Sequence, residues 1–540
     1  MTKGILRLRP AQGCGMRDWS ESPSDRISGT ESTLSIRPRR RSVVTVFATK
    51  GRGFGIIEAQ FALCGWKGIL VKTVKSPFHF KGGVHPDYNK ELARDKAIEK
   101  LPLPAELVVS MSQHLGAPAK CIVKPGDFVK RGQLIGEKNG FISVCVRASA
   151  DGLVKAVEKR LGPAGGKADA VILDTTAKPE SAPDANSPTP PPINSPASIL
   201  PPLDWKTASR EELLKRVEEA GICGMGGAGF PTSVKLNPPP GKRCEYLVLN
   251  GAECEPYLTA DFRVMLERAD RIRLGVEIMR KILGGPAVRI AIEANKPEAI
   301  AAMEKAFADI EGNVEIVVLP VLYPQGSEKH QIYATVGRVV PEPPALPIDV
   351  GCVVENVGTV AAIADAVELG EPLLERVTTV SGDAVVEPKN ILAPSGTKYS
   401  DLVAFCGGEK EPPAKVISGG TMMGFAVSTL EIGTTKTTSG LLLLSRRKVF
   451  QYASGACINC GRCLRACPMN LNPALISKAV DANDIKAAED ASVMDCIECG
   501  ACSFGCPAYR TITQSCRRAK NSIRARIAAE KAKAAAAKNS

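Results

Sequence analysis

The chain has 540 residues, 44% of them hydrophobic, which is ordinary for a globular protein and enough for about three to five domains. Its formal net charge of +13 comes largely from two basic segments, and its few aromatic residues do not alternate with them, which argues against a base-stacking nucleic-acid surface. No apolar run reaches the roughly 18 residues of a membrane span, and no signal-peptide pattern follows Met1. We therefore expect a soluble or membrane-peripheral protein.

The N-terminal part of the chain divides near residue 74. Residues 1–74 are rich in Gly, Ser and Arg and show little periodicity, so we interpret them as an extension and predict that they are disordered. Residues 75–175 read as short strands with Gly-centred turns, a pattern that resembles the lipoyl/biotinyl-type barrel-sandwich fold. Carrier forms of that fold have a lysine at a hairpin tip. Here Ser149, Ala150 and Asp151 occupy that turn, so we expect a structural domain.

A proline-rich linker at residues 176–203, with nine prolines, precedes a region of alternating strands and helices at residues 204–373. Ser209 and Glu212 predict a capping box for a helix that ends at Ala220. The alternation predicts an α/β domain with a mainly parallel sheet. The predicted strands are Tyr246–Leu249, Val288–Ile292, Val314–Leu319 and Val353–Glu355. The predicted helices are Asp261–Leu283, Pro297–Asp309 and Val360–Leu369.

Three smaller segments complete the chain. Residues 374–445 predict a small α+β module with a Gly-rich turn at Ser418–Gly424. Residues 446–512 hold two dense cysteine runs, and the basic Ala/Lys-rich tail at residues 513–540 predicts an exposed helix. The strands predicted within the α+β module are Arg376–Val380, Ala384–Val386 and Gly396–Ala404.

Eight of the 18 cysteines form two runs of the type C-x-x-C-x-x-C-x-x-x-C-P, which indicates metal ligands in a reducing compartment rather than disulfides. In two-cluster ferredoxins the fourth cysteine of each run binds the other cluster. We therefore predict two [4Fe–4S] clusters; the alternative, paired zinc sites, does not need the repeated x-x-x-C-P ending. The first cluster is assigned to Cys457, Cys460, Cys463 and Cys506. The second is assigned to Cys467, Cys496, Cys499 and Cys502.

A glycine-rich run, Gly221–Thr232, is followed by Lys235 and lies between a predicted helix and a predicted strand. Bare glycine backbone can approach a flat ring or a phosphate, and a lysine can neutralise that phosphate, although a flexible turn is the alternative. The segment Asn250–Pro256 follows the next strand, at the edge where open α/β sheets bind ligands. On its own, a solvated acidic turn would be the better interpretation of that segment.

Together these motifs resemble a known family. Gly226–Thr232, Lys235 and Asn250–Pro256 are similar to the FMN- and NADH-binding subunit of respiratory complex I. From about residue 81 the chain more closely resembles the C subunit of the Rnf electron-transport complex, with the family's motifs in order over more than four-fifths of its length. The other matching segments, besides the cysteine runs, are Gly82–Pro86, Gln113–Pro118, Tyr323–Lys329, Glu355–Thr359 and Gly419–Gly424.

The resemblance implies a barrel-sandwich domain, a Rossmann-like FMN domain, a β-grasp module and a bacterial-ferredoxin-like two-cluster domain. It implies an NADH dehydrogenase subunit in which FMN accepts two electrons from NADH and passes them singly to the clusters. The implied flavin contacts are Gly226, Gly227, Gly229, Asn250 and Asn356, with Lys235 at the phosphate. The implied catalytic residues, near the flavin and nicotinamide, are Glu253, Glu255 and Glu328. Ala252, Ser327 and Glu355 depart from the complex I pattern but match the Rnf pattern.

The same resemblance implies a peripheral subunit on the cytoplasmic face of the cell inner membrane, in an ion-translocating NADH:ferredoxin oxidoreductase. The partners it implies are NADH, the ferredoxin-like, cluster-bearing B subunit and the membrane subunits of the complex; no nucleic acid is expected. Two alternatives stay open. One is an NADH-dependent cobalamin reductase of a diol-degrading microcompartment. The other is a non-catalytic iron–sulfur relay whose glycine-rich site holds no flavin.

Overall fold

The computed structural model describes residues 71–178, 200–450 and 452–539, and the backbone of three strands nearer the N-terminus. Those strands form an antiparallel sheet in a separate unit, Met1–Gly68. They are β1 (Ser35–Pro38), β2 (Val44–Lys50) and β3 (Gly53–Ala59). Most of the segment predicted to be disordered, and most of the predicted linker, lies outside the described residues. Where the backbone of the N-terminal segment is described, it is strand.

Residues 71–178 contribute to several sheets rather than to one domain. The strands are β4 (Lys72–Lys75), β5 (Ile98–Lys100), β6 (Glu106–Ser110), β7 (Lys120–Cys121), β8 (Phe128–Val129), β9 (Leu134–Glu137), β10 (Val146–Arg147), β11 (Gly152–Leu161) and β12 (Lys167–Asp174). Two sheets, of order β10-β9-β7 and β6-β12-β11-β8, enclose one apolar core. Strands β4 and β5 pair instead with edge strands of two later sheets. The first strand of the two barrel sheets is therefore β6, and the segment before it adds strands to two later sheets.

The turn at the hairpin tip of the barrel packs against another part of the chain. Ser149 and Ala150 are buried, and the Ser149 hydroxyl donates a hydrogen bond to the Ser395 carbonyl at 2.5 Å. The Asp151 carboxylate accepts from the Arg131 backbone N–H at 2.7 Å. A turn held in this way cannot swing between sites, which agrees with the expected structural role of this domain.

The central domain is a parallel sheet covered on both faces. Its strands are β13 (Tyr246–Gly251), β14 (Ala287–Glu293), β15 (Val314–Leu319) and β16 (Cys352–Asn356), and β4 completes the order β16-β13-β14-β15-β4. Its helices are α1 (Arg210–Glu219), α2 (Thr232–Lys235), α3 (Ala260–Glu267), α4 (Ala269–Leu283), α5 (Pro297–Ala306), α6 (Glu328–Val336) and α7 (Val357–Ala364). Apolar cores lie on both faces of the sheet, as expected for near-continuous Val/Ile/Leu strands. The four predicted strands are confirmed.

The predicted capping box is present, because the Ser209 hydroxyl accepts from the Glu212 N–H and the Glu212 carboxylate accepts from the Ser209 N–H. The predicted single helix Asp261–Leu283 is wrong in one respect. The backbone leaves the helical conformation at Arg268, where φ is −134° and ψ is 30°, so two helices form. Helix α7 begins three residues before Val360 and continues into a π-turn to residue 369.

The next module is a mixed sheet of order β20-β19-β21-β17-β18-β5. Its own elements are β17 (Glu375–Ser381), β18 (Lys389–Pro394), α8 (Tyr399–Phe405), β19 (Lys415–Ser418), β20 (Phe425–Val427) and β21 (Gly440–Leu444). The predicted strand Ala384–Val386 is wrong; this segment turns and makes one isolated bridge. The predicted strand Gly396–Ala404 is also wrong. Tyr399, Leu402, Val403 and Cys406 are buried at helical spacing, so this segment forms α8.

Four short helices and one long one frame the cysteine runs at the C-terminal end. They are α9 (Arg462–Ala466), α10 (Pro473–Asp481), α11 (Ile485–Asp490), α12 (Ala501–Phe504) and α13 (Ile512–Asn539). The helix predicted for the tail is confirmed, but its first turns belong to the cluster region, because Cys516, Ala519 and Ile523 are buried in that core. Among the described helices, none is both long enough and apolar enough to cross a membrane.

We predict that Gly275→Ala lowers the urea midpoint of unfolding. A Cβ at Gly275 of α4 would lie 2.1 Å from the Val360 carbonyl oxygen of α7, so the two helices would have to separate, at a cost of about 1–3 kcal/mol. In an uncrowded helix the same change would instead stabilise by about 1 kcal/mol. Gly166→Ala is the control, because no atom lies within 4 Å of the added Cβ. An unchanged midpoint for Gly275→Ala would contradict this close helix packing.

Candidate functional site

The glycine-rich loop lies beside the carboxyl ends of β13 and β16. A Cβ on Gly226 would lie 2.9 Å from the Asn356 side chain, whereas one on Gly227 would meet nothing within 4 Å. The Asn356 amide caps α7, since its Oδ1 accepts from the Gly358 N–H at 2.9 Å, and its Nδ2 donates to Asp261 Oδ2 at 2.7 Å. Open space beside a bare backbone, next to a fixed amide, suits a flat ring.

Two carboxylates lie close enough to Lys235 to stabilise its positive charge. Its Nζ donates to Glu328 Oε1 at 3.0 Å and to the Val354 carbonyl at 2.6 Å, and it lies 3.8 Å from Glu355 Oε1. Burial would lower the pKa of Lys235, but Glu355 and Glu328 raise it above its ordinary value. Burial raises the pKa of Glu355 to about 7, although Lys235 lowers it. Lys235 is therefore a permanent cation, and a phosphate could compete for it with Glu328, which is partly exposed.

Several buried polar atoms lie at the same edge of the sheet and have no hydrogen-bond partner in the described structure. Asn250 is satisfied, because its Nδ2 donates to the Gly326 carbonyl at 2.8 Å and its Oδ1 accepts from Gln331 Nε2 at 2.9 Å. In contrast, both amide atoms of the fully buried Gln325 have no such partner, and neither has Gln331 Oε1 or Glu355 Oε1. Unpaired buried polar groups are costly. Amide and carboxyl groups of this kind fit the polar edge of a flavin ring.

Two of the three expected catalytic glutamates are tied to backbone donors. The Glu253 carboxylate accepts from the Asp261 N–H at 2.7 Å and the Phe262 N–H at 3.3 Å, at the first turn of α3. The Glu255 carboxylate accepts from the Met422 and Met423 N–H groups, each at 3.0 Å. Burial raises the pKa of Glu253 to about 7. The structure therefore gathers Lys235, Asn250, Glu328 and Asn356 at one edge, and gives Glu253 and Glu255 supporting contacts.

The second ligand set, Cys467, Cys496, Cys499 and Cys502, lines a single cavity, and Cys516 lines it too. This cavity adjoins the central domain. The Tyr323 hydroxyl donates to the Cys499 carbonyl at 2.7 Å, and a ring nitrogen of His330 lies 3.1 Å from the Pro468 carbonyl oxygen. Four thiols around one cavity fit a [4Fe–4S] cluster.

The first ligand set, Cys457, Cys460, Cys463 and Cys506, lies nearer the surface. Cys463 is buried in the core of the cluster region, and Cys506, the fourth cysteine of the second run, packs against the same core. In residues 71–178, 200–450 and 452–539, no three His, Cys, Asp or Glu side chains converge on one metal ion. A cubane does not need such convergence, because each thiolate binds a different iron.

Several residues of the site were missed by the sequence analysis. Tyr323, Gln325 and Gln331 lie in or next to the matched segment Tyr323–Lys329, but that segment alone gives no sign of which side chains turn inward. Lys90 was also missed; it is partly buried and its Nζ donates to the carbonyls of Glu253, Glu255 and Leu258. Lys90 and Glu253 are 163 residues apart in the sequence, so no local sequence pattern indicates their contact.

Four family models match the chain, in the order of its domains. They are described as the RnfC barrel sandwich hybrid domain (residues 78–178), the Nuo51 FMN-binding domain (residues 217–365), the SLBB domain (residues 377–426) and the 4Fe-4S dicluster domain (residues 456–512). With the site geometry, they define a class: an electron-transfer subunit with an FMN domain and a two-cluster iron–sulfur domain.

Curated relatives identify the family. The C subunit of the proton-translocating ferredoxin:NAD(+) oxidoreductase complex of Clostridium ljungdahlii is 47% identical over 84% of this chain and 96% of its own. The C subunit of the Na(+)-translocating complex of Acetobacterium woodii is 41% identical over 82% of this chain and 97% of its own. A crystal structure of an NAD+-reducing [NiFe]-hydrogenase, in the H2-reduced state, aligns with 58% of this chain and 64% of its own at 19% identity and a TM-score of 0.41. The chain belongs to the family of C subunits of ion-translocating ferredoxin:NAD(+) oxidoreductase (Rnf) complexes, as the resemblance predicted.

The buried Glu355 carboxyl predicts a pH-dependent stability for the flavin-free protein. A carboxyl whose folded pKa lies above its unfolded value binds its proton more tightly when folded, so stability falls as the pH rises through that interval. For Glu355 the interval runs from 4.5 to about 7. Glu355→Gln should flatten the fall in urea midpoint between about pH 5 and pH 7.5 without abolishing it, because Glu253 also titrates near pH 7.

The exposed substitution Glu311→Gln is the matched control and should leave the pH profile unchanged. Equal slopes for Glu355→Gln and the unmodified chain would contradict the burial of this carboxyl beside Lys235.

Proposed function

We propose that this chain is the NADH-oxidising subunit of an ion-translocating ferredoxin:NAD oxidoreductase, and that it passes electrons between NADH, FMN, two [4Fe–4S] clusters and a neighbouring subunit that holds further clusters. The single observation that carries the proposal is the joining of two sites in one chain. Tyr323 belongs to the loop at the flavin edge, and its hydroxyl donates to the carbonyl of the cluster ligand Cys499. The relatives' names, ferredoxin:NAD(+) oxidoreductase subunits, support the same reaction.

For the flavin, we assign roles to the residues at the sheet edge. Gly227 has open space beside it for the ring, whereas Gly226 and Gly229 let the loop pack closely against Asn356 and Thr437. Lys235 is the cation for the phosphate. Asn250 and Asn356 present fixed amides on neighbouring strands, and Glu328 borders the open side, where nicotinamide would approach. Bound FMN supplies the conversion between two-electron and one-electron transfer. Glu253 and Glu255 stay proposed as residues near the flavin and nicotinamide, with their carboxylates held by backbone N–H groups of α3 and of Met422 and Met423.

For the clusters, we assign the first and second ligand sets to one [4Fe–4S] cluster each. The cavity shared by the four thiols of the second set, and the packing of Cys463 and Cys506 in one core, support this assignment. The two x-x-x-C-P endings favour the exchange of fourth cysteines between the runs, the arrangement of two-cluster ferredoxins.

The proposal extends to the topology of two domains and to the position of the chain in the cell. The parallel order β16-β13-β14-β15-β4 supports a Rossmann-like topology for the FMN domain, and the mixed sheet around α8 supports a β-grasp module. The family supports a peripheral position on the cytoplasmic face of the inner membrane, with the ferredoxin-like B subunit and the membrane subunits as neighbours. The relatives' names favour this function over the cobalamin reductase and over the non-catalytic relay.

Cofactor analysis of anaerobically purified protein tests the proposal. We expect about one FMN and about eight irons per chain, and bleaching of both chromophores by NADH. Lys235→Met should lose FMN and keep its iron, because the phosphate cation is removed and the cysteine runs are unchanged. Cys499→Ala should lose about half of the iron and keep its FMN. Lys242→Met, on the surface away from the sheet edge, is the control for Lys235→Met. Eight irons with no flavin and no response to NADH would favour the relay.

A further inference from the structure

A fifth thiol lines the cavity of the second ligand set. Besides Cys467, Cys496, Cys499 and Cys502, the wall of this cavity includes Cys516, which lies outside both cysteine runs. Cys516 is 1% exposed, so its thiol has the interior of the protein around it rather than solvent. A [4Fe–4S] cluster is held by four cysteine thiolates. The cavity therefore has one cysteine more than a cluster requires.

Helix α13 directs Cys516 towards the second run. Thr513, Cys516 and Lys520 are spaced by three and four residues, so they lie on one face of α13. At the start of this face, the Thr513 hydroxyl lies 3.8 Å from Cys502 Sγ. Further along it, the Lys520 ammonium donates to the Cys496 carbonyl at 2.7 Å. Cys516 lies between these two contacts, which places its thiol beside the first and third cysteines of the second run.

The fifth thiol lies on one side of the cavity. Cys516, Cys502 and Cys496 pack together in the core of the cluster region. Cys499 packs instead in a separate core with Tyr323. Of the two cysteines beside Cys516, Cys502 is buried and Cys496 is partly exposed, so Cys496 has more room to leave its position. Cys516 is therefore placed to substitute for Cys496 and not for Cys499.

The first ligand set has no thiol at the matching position. Each run is followed by a helix that begins six residues after the last cysteine of the run, α10 after the first run and α13 after the second. Cys516 is the fifth residue of α13, whereas the fifth residue of α10 is Ser477. Iron–sulfur clusters favour soft thiolate ligands, which a hydroxyl does not replace well. Two runs of equal spacing therefore differ in whether an additional ligand is at hand.

We propose that Cys516 is an alternative ligand of the second [4Fe–4S] cluster and that it can take the place of Cys496. The inference rests on the proposed function for the presence of that cluster. In the exchange, Cys516 gives its thiol proton to the released Cys496 thiolate and binds the same iron. One iron–sulfur bond breaks and one forms, and no electron is gained or lost. The second set can therefore keep four thiolates when Cys496 is lost, whereas the first set has no such substitute at Ser477.

Iron and FMN contents of the full chain, purified anaerobically, test the exchange. Cys496→Ala should keep about eight irons, because Cys516 supplies the fourth thiolate. Cys496→Ala with Cys516→Ala should keep only about four irons. Cys457→Ala is the matched control: it removes the first cysteine of the other run, where Ser477 stands in place of a thiol, and should keep only about four irons. Low-temperature EPR spectra of the reduced variants show which cluster remains.

Cys516→Ser is a second test that leaves all eight cysteines of the two runs in place. Serine is close to cysteine in size but is a poor ligand for a cluster iron. This variant should keep about eight irons, because the four usual ligands of each cluster are present. It should release iron to a chelator faster than the unmodified chain, because no additional thiol can rebind an iron that Cys496 has left. A role in packing alone would leave the release rate unchanged.

FMN content establishes that a variant is folded. Loss of about four irons from Cys496→Ala with FMN retained would overturn the proposal, as would about eight irons in the double variant. Equal release rates for Cys516→Ser and the unmodified chain would also overturn it, and this comparison decides if Cys496→Ala does not fold. Fewer than about eight irons in the unmodified chain would instead count against the two clusters of the proposed function.

Discussion

One partly buried carboxylate, that of Glu255, joins the central domain, the mixed sheet and the cluster region. Its oxygens accept the Met422 and Met423 N–H groups and lie 3.3 Å from the Tyr323 hydroxyl, which itself donates to Cys499. Burial raises the pKa of Glu255, and these donors lower it again. Because a carboxylate shielded from water is costly unless its oxygens are hydrogen-bonded, these contacts stabilise the three parts in this arrangement. The distance from flavin edge to cluster is thereby fixed.

Glycine makes this junction possible because backbone must approach backbone or carboxylate there. A Cβ on Gly420 would lie 2.2 Å from Glu255 Oε2, and one on Gly82 would lie 2.6 Å from the Cys467 carbonyl oxygen. A Cβ on Gly500 would lie 2.9 Å from the Met422 carbonyl oxygen. These three glycines come from three distant segments of the chain. The glycine-rich motifs therefore indicate positions where domains pack closely, as well as positions where a ligand could bind.

The sequence predicts well where chemistry or periodicity is local. Cysteine spacing identifies the clusters, and alternating apolar strands identify the parallel sheet. Prediction from the sequence fails where a contact between distant residues determines the secondary structure. β4 and β5 are short segments that become strands only because sheets from later residues offer open edges. The segment of α8 is mistaken for a strand because its apolar residues fit a short strand as well as a helix. Glu253 is assigned by resemblance, but the α3 N–H groups that it binds are visible only in the fold.

Two cysteine runs of identical spacing end in different surroundings. The second set lies against the central domain, and the Lys520 ammonium donates to the Cys496 carbonyl at 2.7 Å beside the Glu498 carboxylate. The first set borders solvent, arginines and aromatic rings. The potential of an iron–sulfur cluster depends on burial, nearby charge and hydrogen bonds to its sulfurs, none of which the spacing specifies. The spacing therefore selects the kind of cluster, and the neighbouring domains determine the burial and charge around each ligand set.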